Sequence, residues 1–152
     1  MIEPPIHKTL LYECMDIMSK YESVSLLAPN MNKGFIIEGL KRLGIDVQAF
    51  DYDPKFKRLQ YPEFTCADFI FDDVDYSADL VVHFNVEKTA PLEYSGEVIL
   101  IGDDERHSGD CFPIDDIDQI IDAYNIKELY SHGQMTNKKP KLVTHNYVYG
   151  RM

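Results

Sequence analysis

The residues able to do chemistry in this chain gather just after short apolar runs. Val47-Gln48-Ala49-Phe50 is followed by Asp51 and, two residues on, by Asp53. Ala67-Asp68-Phe69 closes the next run, and His83-Phe84-Asn85-Val86-Glu87-Lys88 extends Leu80-Val81-Val82. A carboxylate offers two acceptor oxygens at fixed spacing, which suits a diol. An amide side chain can hold an amine or a hydroxyl, so Asn85 is a candidate for positioning a substrate; Glu87 is a candidate proton acceptor. The segment Gly102-Asp103-Asp104-Glu105-Arg106-His107-Ser108-Gly109-Asp110 is rich in ligand types for a divalent ion. No second cluster at matching spacing accompanies it, and its place after another apolar run fits a mobile loop over a site. The histidines (7, 83, 107, 132 and 145) show no His-x-x-x-His spacing. Neither a Gly-x-Ser-x-Gly elbow nor a complete Walker loop occurs, so metal, hydrolase and nucleoside triphosphatase chemistry lack their usual parts.

These residues need elements to hold them. Ile6, Leu10, Cys14, Ile17, Met18 and Tyr21 draw one stripe on a helix. Residues 24–28 then read as a buried strand stopped by Pro29-Asn30. A second helix should start near Asn32, with Asn30 or Asn32 as N-cap, an apolar face of Ile36, Ile37, Leu40 and Leu43, and Gly44 just past its end. Residues 45–51 give a second strand, 63–67 a weaker third, 80–84 a fourth and 97–101 a fifth. Five aspartates in 68–79 mark a segment outside the core except at Phe69, Ile70 and Phe71. Ile117, Ile120, Ile121 and Tyr124 place a third helix from about Asp115. Residues 128–132 and 142–149 read as a terminal antiparallel pair around Lys138-Lys139-Pro140-Lys141, a solvated turn. Strand–helix–strand order with short connections implies parallel pairing and right-handed crossovers. The expectation is one α/β domain over 1–152: a Rossmann-like three-layer αβα unit with a seven-stranded, mostly parallel sheet and a C-terminal antiparallel hairpin.

Bulk properties narrow the class. The chain has 152 residues, enough to bury a core without staples. Its 26 acids against 15 bases give a formal charge of −11. Such a surface repels a polyanion, which disfavours direct nucleic-acid binding and leaves a basic protein partner or self-association open. No apolar run reaches the ~18 residues that would span a bilayer. Three dispersed cysteines and an N-terminus without a secretory pattern lead us to expect a cytoplasmic protein.

In this order of elements the chain resembles the class I S-adenosylmethionine-dependent methyltransferases, from about Tyr12 to Arg151. More narrowly, Phe84-Asn85-Val86-Glu87-Lys88-Thr89-Ala90-Pro91 resembles the segment that follows the fourth strand in small phage and bacterial proteins of that type, an Asn-x-x-x-Glu-His motif. The resemblance implies S-adenosylmethionine as cofactor, with its methionine part over the loop after the first strand. That loop is Leu26-Leu27-Ala28-Pro29-Asn30-Met31-Asn32-Lys33-Gly34 here. Of the family's glycines only Gly34 remains, and Ala28 and Asn30 stand where close backbone approach is the rule. The same resemblance gives Asp51, or Asp53 beside it, the ribose hydroxyls. It gives Asp68 the adenine amino group, with Phe69 or Ile70 as an apolar wall. His83, Asn85 and Glu87 fall beside the methyl acceptor and cofactor.

Two functions follow as expectations. One is methyl transfer to a small molecule or a protein side chain. The other is a catalytically inactive methyltransferase-fold subunit, retained for binding or assembly. A dehydrogenase is disfavoured because no Gly-x-Gly-x-x-Gly follows the first strand.

Overall fold

Four apolar runs in this chain lack the alternation of a half-exposed strand, which is the pattern of strands covered on both faces. In the computed structural model, which describes residues 8–29, 34–54, 57, 60–105, 110–112, 114–139 and 141–152, all four are central strands. They are β1 (Ser23–Leu27), β2 (Asp46–Asp51), β4 (Leu80–His83) and β5 (Glu97–Asp103). The short β3 (Phe64–Cys66) is an edge, and β6 (Glu128–Asn137) and β7 (Val143–Arg151) complete a seven-stranded sheet. Its order is β3-β2-β1-β4-β5-β7-β6. Pairing is parallel from β3 to β5, and β7 runs antiparallel to both β5 and β6. The chain builds outward from β1 to one side, returns, and builds from β4 to the other. The β1–β4 boundary is therefore the switch point of the sheet.

Among the described residues three α-helices cover the sheet: α1 (Lys8–Met18), α2 (Gly34–Arg42) and α3 (Ile117–Tyr124). On one face Leu10, Cys14 and Met18 of α1 join Ile36, Ile37 and Leu40 of α2 over Leu26, Val82 and Ile99. On the other, Ile120 and Tyr124 of α3 pack over Val81, Val98 and Leu100. The β3–β4 and β4–β5 connections cross that second face without an α-helix, and contribute Phe69, Val86 and Leu92 to its core instead. Among the described residues no helix is long and apolar enough to cross a membrane.

Local chemistry sets the helix ends. Gly44 has φ +76°, and the Gly44 and Ile45 amides donate to the Lys41 and Leu40 carbonyls at 2.9 and 3.1 Å, a Schellman ending. Leu43 sits at that bend and is 64% exposed, so it leaves the apolar face expected for α2. The third helix begins at Ile117, not Asp115, because Asp116 caps it: its Oδ1 accepts from the Asp118 and Gln119 amides at 3.0 and 3.3 Å. The N-cap expected at Asn30 or Asn32 falls outside the described residues.

Two further differences are instructive. Phe71, expected inside with Phe69 and Ile70, is 84% exposed, because Asp68 turns the chain there. β6 runs through Asn137, beyond the 128–132 expected, held by its ladder to β7 despite a largely polar sequence. Gly150, in β7, faces the bulge in that ladder. A Cβ there would meet the Glu128 carbonyl oxygen and approach Ile126 Cγ2 to 3.2 Å. Gly150→Ala should therefore destabilise the fold by about 1–3 kcal/mol, read as a lower midpoint in urea unfolding.

Candidate functional site at the carboxyl ends of the strands

Parallel register sets the functional strand ends side by side. Leu27 pairs with Phe50 on one side and His83 on the other, while Asp51 pairs with Cys66. The ladders run on by one rung each. The Ala28 amide donates to the Phe50 carbonyl at 2.8 Å, Phe84 to Leu27 at 3.0 Å, and Ala67 to Asp51 at 2.9 Å. Cys66, Asp51, Ala28 and Phe84 thus stand in one row across the switch point, where open α/β sheets bind ligands.

Asn85 fastens the middle of that row. Its side-chain amide donates to the Ala28 carbonyl at 2.8 Å, and its backbone amide donates to His83 Nδ1 at 3.2 Å. Because Nδ1 accepts, the ring proton of neutral His83 lies on Nε2, which donates to Thr89 Oγ1 at 2.9 Å. Thr89 Oγ1 passes the chain on to the Ala90 carbonyl at 2.9 Å. Burial of the ring pushes the His83 pKa down to about 3. Both its nitrogens are spent internally, so His83 supports the site from behind and does not fit the cofactor contact expected of it. Ala28 is held with φ +50°, in the left-handed region that costs a residue with a Cβ about 1 kcal/mol.

The acids divide by environment. Asp51 is buried at the tip of β2, and its Oδ1 accepts from the Asp53 amide at 3.3 Å. Asp53 is half-buried beyond it. Asp68 is a turn former: its Oδ1 accepts from the Ile70 amide at 3.0 Å, and its own amide donates to Asp72 Oδ2 at 2.8 Å. Phe69 is buried and meets the His83 ring edge-on at 5.2 Å. That contact fixes the Phe69 ring in place.

Glu87 departs most from expectation. It is 1% exposed, and neither carboxyl oxygen has a hydrogen-bond partner among the described residues. A Cβ on Gly102 would lie 3.1 Å from Glu87 Oε2, so the carboxyl presses against the β5 backbone. Burial, then the charges of Asp103 and Asp110, push its pKa up to about 9. It is neutral at pH 7 and cannot accept a proton there, which removes the proton-accepting role read from the sequence.

Gly34 also acquires a physical reason. A Cβ there would stand 2.7 Å from the Tyr61 hydroxyl, so the glycine admits that ring against the first turn of α2. Asn30 lies outside the described residues. In the loop after β5, the Asp104 amide donates to the Thr144 carbonyl at 3.1 Å, the Thr144 amide returns a bond to Asp104 Oδ1 at 2.8 Å, and Glu105 pairs with Lys141. Its first residues are pinned to β7, unlike the free loop expected. The sequence carries no signal for Tyr61 or Thr89, because both act through contacts made only in the fold.

No family model matches this sequence, and no curated protein does. Solved structures do resemble it. A ribosomal-RNA methylase from Streptococcus thermophilus aligns over 100% of this chain and 99% of its own, with a TM-score of 0.53 at 15% identity. The fold is that of the class I S-adenosylmethionine methyltransferases. An S-adenosylmethionine-dependent methyltransferase from Clostridium acetobutylicum gives a TM-score of 0.52 at 10% identity, covering 92% of this chain and 88% of that one. A candidate RNA methyltransferase from Pyrococcus horikoshii gives 0.53 at 11% identity over 95% and 83%.

The two buried ionisable groups make opposite demands on pH. His83 falls from an ordinary 6.5 to about 3, so the unfolded chain binds the extra proton and stability drops as pH falls below 6.5. Glu87 rises from 4.5 to about 9, so the folded state holds the extra proton and stability drops as pH rises above 4.5. Between 4.5 and 6.5 the two slopes, each about 1.4 kcal/mol per pH unit at full effect, cancel. Urea unfolding across pH should show a plateau there with losses on both sides, and Glu87→Gln should abolish the alkaline loss and turn the plateau into a rise up to pH 6.5, because the His83 slope is then uncompensated. Asn85→Ala, which orphans the Ala28 carbonyl, should lower stability by about 1 kcal/mol at any of these pH values.

Proposed function

We propose that this chain binds S-adenosylmethionine at the carboxyl ends of β1, β2 and β4 and transfers its methyl group to a small molecule or a protein side chain. The observation that carries this reading is the placement of Asp51 opposite the left-handed Ala28, at the switch point of a methyltransferase-type sheet. A backbone held in a costly conformation at the end of a central strand points to a site, because strain persists where function requires the geometry.

The residues fit the cofactor in part. Asp51, with Asp53 beside it, offers acceptor oxygens to a ribose diol. Ala67 and Phe69 supply apolar surface near Asp68 for an aromatic base. The bend at Ala28 and the glycine at the start of α2 are what remains of a loop that would carry the methionine part. The bound cofactor supplies an activated methyl group on a sulfonium. The chain's contribution is then positioning, which by itself lowers a transfer barrier substantially. The neutral, buried Glu87 and the committed Asn85 leave no dedicated base among the expected residues, so the acceptor must arrive as a free nucleophile. The net charge of −11 favours a neutral or cationic acceptor over a polyanion.

The same two observations favour a second reading, a catalytically inactive subunit that keeps the cofactor-binding fold and uses its acidic surface on a basic partner. Titration calorimetry with S-adenosylmethionine and S-adenosylhomocysteine tests the first step common to both. Saturable heat is expected, with affinity falling about tenfold or more in Asp51→Ala as the charge-assisted bonds to the diol are lost. The absence of heat together with an unshifted melting temperature rejects cofactor binding. Binding without turnover on any amine or thiol selects the inactive subunit.

A further inference from the structure

The second face of the sheet carries a cavity of which the methyl-transfer reading uses only one wall, Phe69. Where the β3–β4 and β4–β5 connections run without helices they leave a cavity of about 610 Å³ between them. That lies within the range of pockets that hold small ligands. Its walls include Phe69, Tyr76 and Tyr94, and its rim carries Asp72, Asp75 and Glu93. None of the residues lining it is basic.

The aromatic walls are set at angles to one another. Phe69 and Tyr76 meet edge to face, with centroids 6.3 Å apart and planes at 79°. Tyr76 and Tyr94 are 6.0 Å apart and inclined at 45°. The Tyr94 hydroxyl donates to the Ala78 carbonyl at 2.9 Å, which fixes its ring. Phe69 is buried against His83, so the innermost wall is rigid as well. All three rings line one cavity, and the π-face of an aromatic ring attracts a cation and not an anion. The rim works in the same direction. Asp75 is held ionised by the Ser77 hydroxyl and amide, and Glu93 lies close enough to Tyr76 to disfavour a charged phenolate. A cleft lined by one sign of charge on a protein of net charge −11 concentrates counter-ions. A hydrated metal ion suits such walls poorly, since its ligands would have to be oxygens close together. An alkylated ammonium suits them well.

We infer that this cavity binds a small organic cation bearing a tertiary or quaternary ammonium, held by the three aromatic rings and the acidic rim. The inference does not depend on cofactor binding, and the measurements keep the two apart. Choline and tetramethylammonium should bind saturably in calorimetry and ligand-detected NMR. The neutral analogue of choline, with carbon in place of nitrogen, should bind at least about tenfold more weakly. Tyr94→Ala and, as a variant that leaves packing intact, Glu93→Gln should each weaken choline by about fivefold, with far-ultraviolet dichroism unchanged. Asp51→Ala should leave choline binding as it was. A peptide carrying trimethyl-lysine serves as the second source of the same group: tighter binding than choline assigns the ammonium to a protein, weaker binding to a free metabolite. Equal affinity for the neutral analogue, no binding of either ammonium, or displacement of choline by adenosine would overturn the inference.

Discussion

Everything at the carboxyl edge of this sheet depends on how Asn85 joins two strands that are neighbours in space and far apart in sequence. Its side chain holds the Ala28 carbonyl and its amide is held by a neutral imidazole. Each bond is worth about 1 kcal/mol in net terms, yet their geometry is what counts. Ala28 cannot relax out of its left-handed conformation while its carbonyl is engaged on one side and its amide on the other. The bend at the end of β1 is thus enforced from β4. Protonating His83 would turn Nδ1 into a donor facing another donor, so burial that keeps the ring neutral protects the bend as well.

The architecture was legible because its signals are short-range. Continuous apolar runs marked the buried strands, i, i+3, i+4 spacing marked the helices, and Gly44 marked the end of α2. Asp51 could be placed at a strand tip for the same reason. What failed depends on contacts between distant segments. Leu43 and Phe71 are apolar residues whose spacing fits a core, and each is turned outward by the backbone bend beside it. Glu87 looked like a base because its type allows it. Only the fold reveals that the carboxyl lies against Gly102 beside Asp103, where it is held neutral. Asn85 and His83 were singled out as contacts to a ligand. In the fold both make bonds within the chain, Asn85 to the Ala28 carbonyl and His83 to Thr89, and residue type alone does not reveal such bonds.

The second face of the sheet shows how a small chain keeps this fold with less material. Two crossovers run without an α-helix, with a single 3-10 turn at Val86–Lys88, and Phe69, Val86 and Leu92 plug the core there. Side chains from irregular backbone cover a sheet less completely than a helix does, because they have no continuous ridge to fit its grooves. The space left open between the segments is a direct result. Aspartates that cap turns, such as Asp68 and Asp75, are needed to hold such segments, and they add to the acidity of the face.

The placement of β7 between β5 and β6 bears on how the molecule is assembled. β6 leaves the ribosome before β7, yet among the described residues β7 is its one ladder partner. Until residues 143–151 are synthesised, β5 is an open edge and β6 has nothing to pair with. The sheet from β3 to β5 can form progressively during synthesis, through contacts between successive segments. Its remaining third closes in a single late event, when one strand satisfies two edges at once. Exposed edges of that kind recruit other chains, so the interval before closure is when this protein is most open to aggregation. The polar, alternating sequence of β6, which hid half of that strand from sequence analysis, lowers the hazard while it waits.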